Sequence, residues 1–195
     1  MVNYFGLRLA GKRVLIQAAA GGLGSLLKQL VKRAGAAAVV AATSSSQKAE
    51  AAIALGATHN ANYTQPGWPL QLEEMAGGKM EVIFEMAGGN IFSQSLQCLS
   101  QGGTIVVYGA ASRHKTYIHS EQLVDEGYNL LSFNLAYFIR DRFTDWQTAL
   151  GGVIGLVASG ELKVEVAHQY QLAEAVAAHT AIEARQTIGK VVLIP

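Results

Sequence analysis

Residues 13–35, RVLIQAAAGGLGSLLKQLVKRAG, restrict the fold more than any other stretch of the chain. Residues 14–18 are apolar without alternation, the pattern of a strand buried on both faces. Leu23, Leu26, Leu27, Leu30, Val31 and Ala34 then recur at the spacing of one helical face, and Gly35 stops them. Between the two lie Gly21, Gly22 and Gly24. Glycine loses more backbone freedom on folding than any other residue. Clustering it therefore answers a geometric need: a tight turn, or close approach of backbone to a bound group.

The same punctuation continues along the chain. Residues 38–42 form a second apolar run, and Ser44 to Ser46 can cap a helix that reaches Leu55 and stops at Gly56. A weaker strand follows at 58–63, then a short helix at 69–76 ended by Gly77 and Gly78. Residues 81–86 read as a strand. Phe92, Leu96 and Leu99 share a helical face before Gly102 and Gly103, and 104–108 is strongly β-prone. Residues 128–135 add a sixth strand. Alternating strands and helices with short connections predict an α/β fold: a six-stranded parallel sheet, doubly wound by helices on both faces. Phe143, Trp146, Leu150, Val153, Ile154 and Val157 mark a further helix. Gly151, Gly152 and Gly155 weaken it by about 1 kcal/mol each. The tail reads as strand (164–170), helix (172–184) and closing strand (188–194). Residues 1–160 are thus expected to form one doubly wound α/β domain and 161–195 a C-terminal strand–helix–strand appendage.

Composition excludes several classes of function. Half of the 195 residues are hydrophobic and 15% are charged, which supports a large core. A net charge of +1 gives no basis for a nucleic-acid or anionic-membrane partner. Cys98 is the sole cysteine, so no disulfide or multi-thiolate metal site forms within the chain, and a reducing compartment is expected. The N-terminus lacks the pattern of a secretory signal and no apolar run approaches a membrane span; a soluble cytoplasmic protein is expected. No metal site is expected, because His114 and His119 are five apart and lack a CxxC partner. Gly-x-Ser-x-Gly is also missing, and no tyrosine is followed four residues later by lysine.

The glycine turn sits where a dinucleotide fingerprint belongs in a βαβ unit. There the glycines let backbone N–H groups approach a diphosphate, and the helix N-terminus adds partial positive charge. An NAD site usually ends its second strand with Asp or Glu, to hold the ribose 2′-hydroxyl. Here that end reads AATSSSQK, with no acid before Glu50. Thr43, Ser44 and Lys48 suit a 2′-phosphate instead. The serines equally serve to cap the next helix, and the two roles are compatible.

The stretches VLIQAAAGGLG, ALGATHNANY, VIFEMAGG, GGTIVVYGAAS and IGKVVLIP together resemble the cofactor-binding half of the medium-chain dehydrogenase/reductase superfamily. Within it they are similar to the zinc-free, NADPH-dependent quinone oxidoreductase branch, the zeta-crystallin-like enzymes. The resemblance spans nearly the whole chain. It implies that Gly21, Gly22, Leu23 and Gly24 form the diphosphate turn, and that Thr43, Ser44 and Lys48 line the 2′-phosphate pocket. Tyr63 matches an aromatic position beside the adenosine, or closes its strand as a core residue. Gly88 and Gly89 match the turn beneath the ribose, and Tyr108, Gly109 and Ala110 the loop after strand five. Phe133, Asn134 and Leu135 match the segment whose backbone meets the nicotinamide carboxamide. Arg185 matches an arginine at the phosphate end, or is a surface residue.

Relatives of this kind carry an additional N-terminal domain of roughly a hundred residues, which forms most of the substrate cleft. The tail from about Leu162 resembles a segment that pairs with that domain. An excerpt of a longer enzyme is the expectation. The implied activity is hydride transfer from NADPH to a quinone or an α,β-unsaturated carbonyl, in a homodimer joined through the sixth strands. The alternative is a non-catalytic NADPH-binding sensor or scaffold. A methyltransferase also uses a glycine-rich first turn, but the missing acid at Thr43 argues against it.

Overall fold

The computed structural model describes Met1 and residues 4–195; Val2 and Asn3, part of the N-terminal stretch read as lacking a signal, lie outside the described residues. The chain runs β1 (Arg13–Ile16), α1 (Gly24–Arg33), β2 (Ala38–Thr43), α2 (Ser46–Ala54), β3 (His59–Asn62) and α3 (Trp68–Ala76). It continues β4 (Met80–Glu85), α4 (Gly89–Gln97), β5 (Leu99–Val107), α5 (Ser120–Asp125) and β6 (Asn129–Ser132). These strands form one parallel sheet in the order β3-β2-β1-β4-β5-β6. The order reverses between β1 and β4, and in such a sheet ligands bind outside the carboxyl ends of the strands at that crevice.

Two apolar layers hold the sheet between its helices. Because successive strand residues point to opposite faces, Val14, Ile16, Val39, Ala41 and Phe84 pack under Leu27 and Val31 of α1. Leu15, Val40, Ala42, Ile83 and Ile105 pack on the other face, under Trp68, Leu72, Phe92 and Leu96. This explains why β1 and β2 lack alternation: neither face meets water.

After β6 come α6 (Leu135–Asp141), α7 (Phe143–Ala158), β7 (Val166–Gln171), a 3₁₀ turn (Leu172–Glu174), α8 (Ala175–Glu183) and β8 (Lys190–Ile194). β7 and β8 pair in parallel as a second, small sheet. No helix among the described residues is long and apolar enough to cross a membrane.

Three sequence expectations are corrected. Leu99 does not continue the helical face of Phe92 and Leu96; it opens β5 opposite Met80, where Met80 N–H donates to the Cys98 carbonyl at 2.7 Å. The sixth strand is shorter than 128–135, because Asn134 caps α6 by accepting from the N–H groups of Ala136 and Tyr137. The helices α5 and α6 lie in segments given no helix from the sequence.

The tail is fastened to the sheet domain. Gln29 of α1 donates to the Lys163 carbonyl and accepts from the Lys163 N–H, each at 2.9 Å. Arg33 pairs with Glu161, and Leu162 is buried. Gly189 N–H reaches back to the Ala20 carbonyl at 2.7 Å, beside a parallel bridge between Gly21 and Gly189. The start of β8 is therefore hooked onto the glycine turn.

Candidate functional site

The glycine turn follows β1 at the reversal of strand order. Ala18 takes a left-handed conformation (φ 51°), and its carbonyl accepts from Gly21 N–H at 2.9 Å. Ser25 N–H then donates to the Gly21 carbonyl at 2.8 Å and opens α1. Gly22 N–H faces the Gly189 carbonyl in the parallel bridge, whereas the N–H groups of Leu23 and Gly24 have no backbone acceptor among the described residues. No side chain caps α1, and its first turn holds no acid. Unpaired amides and a positive helix end together make an anion site. Gly24 is indispensable here, because a Cβ on it would run into the carbonyl of Ala18 and lie 2.7 Å from Ala19 Cα. Lys28, fully buried, donates to the Ala19 carbonyl at 2.8 Å and braces the turn from below. Burial pushes its ammonium down to about 8, against the opposing charge of Glu165.

At the end of β2 the hydroxyls divide their work. Thr43 is buried; its Oγ1 accepts from Asn60 Nδ2 at 2.7 Å and donates to the Ser45 carbonyl at 3.4 Å. Ser45 caps α2 by accepting from Lys48 N–H. Ser44 accepts from Lys48 Nζ at 3.4 Å, while that ammonium donates to the Arg185 carbonyl at 2.5 Å. Burial, then the nearby Arg185 charge, holds the Lys48 ammonium below the ordinary lysine range. Arg185 reaches this place because α8 ends in a left-handed turn at Arg185 itself (φ 56°). Arg185 N–H donates to Ile182 and Gln186 N–H to Ala181, the paired bonds that usually select glycine. Keeping arginine there costs on the order of 1 kcal/mol. Two cations thus converge at a strand end without a partner acid.

Beyond β4 the turn is closed rather than open. Gly88 and Gly89 both have positive φ (72° and 59°). Ser112 Oγ would lie 3.2 and 3.1 Å from their added Cβ atoms, and Gly89 N–H donates to Thr116 Oγ1 at 2.7 Å. The loop after β5, with Gly109 and Ala110, lies over this turn through Ala111 N–H to Met86 and Ser112 N–H to Ala87. Below it, the buried Glu85 carboxyl accepts from Ala87 N–H (2.6 Å), Gly88 N–H (2.8 Å) and Ser95 Oγ (3.2 Å). Burial pushes Glu85 above the usual carboxyl range, and burial with the Glu85 charge pushes the Tyr108 phenol up as well. A cavity of about 540 Å³ opens past the ends of β4, β5 and β6, lined by Phe92, Val107, Tyr117 and Leu131 with Arg113 and Lys115.

The remaining expected residues sit at the sheet's carboxyl edge. Tyr63 is half-buried against the second core layer, and its N–H donates to the Thr43 carbonyl. Phe133 N–H donates to the Val107 carbonyl, and its ring packs on Tyr4, Phe5 and Phe138. Asn134 spends its side chain on capping α6, and Leu135 is exposed.

A sequence profile described as zinc-binding dehydrogenase matches residues 22–151. The chain belongs to this family. The matched portion is the Rossmann-type part of the medium-chain dehydrogenase/reductase superfamily. Among similar family members, a 2-haloacrylate reductase from Burkholderia is 33% identical over 187 residues, covering 95% of this chain and 56% of that protein. Quinone oxidoreductase 1 of Escherichia coli is 33% identical over 188 residues, covering 94% of this chain and 57% of that protein. A crystal structure of the Escherichia coli quinone oxidoreductase complexed with NADPH superimposes with a TM-score of 0.84 at 32% identity, over 95% of this chain and 58% of that one. The chain thus spans little more than half the length of the relatives it matches. Despite the family's description, the described residues bring no three His, Cys, Asp or Glu side chains together as a metal site, so they furnish no zinc ligand set.

Two residues at this site escape a linear reading. Lys28 looks like a surface position of α1, and Lys190 like an ordinary strand residue; both lie against the glycine turn. Their spacing from the turn holds no signal, because separate elements bring them there.

Proposed function

We propose that this chain is the NADPH-binding part of an oxidoreductase that reduces a quinone or an α,β-unsaturated carbonyl compound. One observation carries the reading: unpaired amides open α1 after β1, and Lys48 and Arg185 meet at the end of the neighbouring β2, where the sequence holds no acid before Glu50. The amides of Leu23 and Gly24 receive the diphosphate, with Gly21 and Gly22 shaping the turn. Ser44, Lys48 and Arg185 receive the 2′-phosphate, and Thr43 holds that corner in shape through Asn60 and Ser45. Tyr63 borders the adenosine. Gly88 and Gly89 support the nucleotide from beneath the loop that covers them. Tyr108, Gly109 and Ala110, with the backbone of Phe133, Asn134 and Leu135, orient the nicotinamide. Bound NADPH supplies a hydride; the protein fixes its position and excludes water.

The acceptor is a small quinone or enone, in keeping with the names of the quinone and 2-haloacrylate reductases that the chain resembles. Residues 1–160 bind the nucleotide, and 161–195 close the phosphate side of the site while offering their outer faces to a further domain. β6 is an edge strand with Leu130 exposed, and it pairs with its copy in a homodimer. The cytoplasm, which keeps Cys98 reduced, is the expected setting.

Fluorescence titration with NADPH and NADH tests the reading. NADPH is expected to bind at least ~10-fold tighter, as one charge-assisted phosphate contact requires. Equal affinities would remove the 2′-phosphate assignment, and no binding of either would remove the function.

A further inference from the structure

We propose that Lys190 is a phosphate-binding residue, brought over the glycine turn by the tail to contact the dinucleotide's diphosphate. The proposal rests on the NADPH reading and adds a residue that neither the turn nor the 2′-phosphate corner supplies. A Cβ on Gly22 would lie 3.1 Å from Lys190 Cγ and 3.5 Å from Lys190 Nζ. The stem therefore lies on Gly22, and the ammonium sits beside the glycine turn that opens α1. The backbone holds it there from two directions. Gly189 N–H donates to the Ala20 carbonyl and Lys190 N–H to the Glu165 carbonyl, both at 2.7 Å. Gly189 is at φ 63°, and a Cβ on it would lie 2.5 Å from the Glu165 carbonyl oxygen, so the hook admits only glycine.

The electrostatics of this placement point to an anion. Lys190 forms none of the ion pairs among the described residues. Its ammonium sits by the glycine turn at the positive end of α1, whose first turn holds no acid. Glu165 lies against Gly189 and acts on the buried Lys28. A cation set by a positive helix end is repelled unless a negative group lies between them, and a diphosphate bridging the amides and Lys190 satisfies both. Glycine at position 22 then has a second reason: any side chain would displace the lysine stem.

The test is equilibrium binding of NADPH, NADH and 2′-AMP to the full chain, for wild type, Lys190→Ala and Lys190→Met. Methionine keeps the apolar stem over Gly22 and removes the charge. The expected result is a loss of ~10-fold for NADPH and NADH alike in both variants, with 2′-AMP unchanged. Lys190→Arg should recover most of the loss. Unchanged affinity for both dinucleotides in Lys190→Met would overturn the proposal while leaving the NADPH reading standing. A loss confined to NADPH and 2′-AMP would move Lys190 to the 2′-phosphate and likewise overturn it. A wild-type chain that binds no dinucleotide would overturn both readings together.

Discussion

Replacing Gly24 with alanine is expected to destabilise the protein by about 3 kcal/mol, the upper range for overpacking a tight site. For a chain of this length, that lowers the melting temperature by about 6–12 °C. The new methyl would meet backbone on two sides, the Ala18 carbonyl and Ala19 Cα, and neither can rotate away. Relief would need α1 to lift from β1, exposing Leu27 and Val31. The natural control is Gly151→Ala in α7, where nothing lies within 4 Å of the added methyl. There the gain in helix propensity should stabilise the protein by up to about 1 kcal/mol. Thermal melts of the two variants check both signs. A Gly24→Ala protein that melts with wild type would mean the turn is looser than described.

The second large effect concerns the end of β2. Lys48→Ala combined with Arg185→Ala is expected to weaken NADPH about 100-fold or more, since two charge-assisted contacts of roughly 1.5 kcal/mol each are lost. NADH, which has no 2′-phosphate, should stay within about threefold of wild type. Burial, and after it repulsion from Arg185, holds the Lys48 ammonium below its usual range. A 2′-phosphate between them relieves that repulsion, so the single variants should couple rather than add. Calorimetric titration of the singles and the double measures the coupling. Similar losses for both nucleotides would show that the pair supports the fold, through the Lys48–Arg185 carbonyl bond.

The sheet was legible in the sequence because its signals are local. Apolar runs without alternation mark β1 and β2, β-prone stretches mark β4 and β5, and glycines close the helices between them; β3, HNAN, carries only a weak signal. What stayed hidden depended on neighbours distant in sequence. Leu99 fits a helical face with Phe92 and Leu96, yet pairing with Met80 draws it into β5. α5 carries no buried residue, so no periodic apolar stripe marks it. The hydroxyls of Thr43, Ser44 and Ser45 are equivalent on paper. Asn60, reaching across from β3, ties Thr43 into the sheet, whereas Ser44 meets the Lys48 ammonium. The tail resembles a segment that pairs with another domain, and its strands expose Val166, Leu193 and Ile194. Its tie to the glycine turn at Gly189 came from the fold alone.

Two amides of the first turn, those of Leu23 and Gly24, are left bare to receive a diphosphate. The most direct test follows the backbone ¹H–¹⁵N resonances of Leu23 and Gly24 during titration with NADPH. Hydrogen bonding to phosphate should move both proton signals downfield, saturating together with Ser44 and Lys48. If NADPH saturates the protein while these amide signals stay in place, the diphosphate lies elsewhere and the account is wrong.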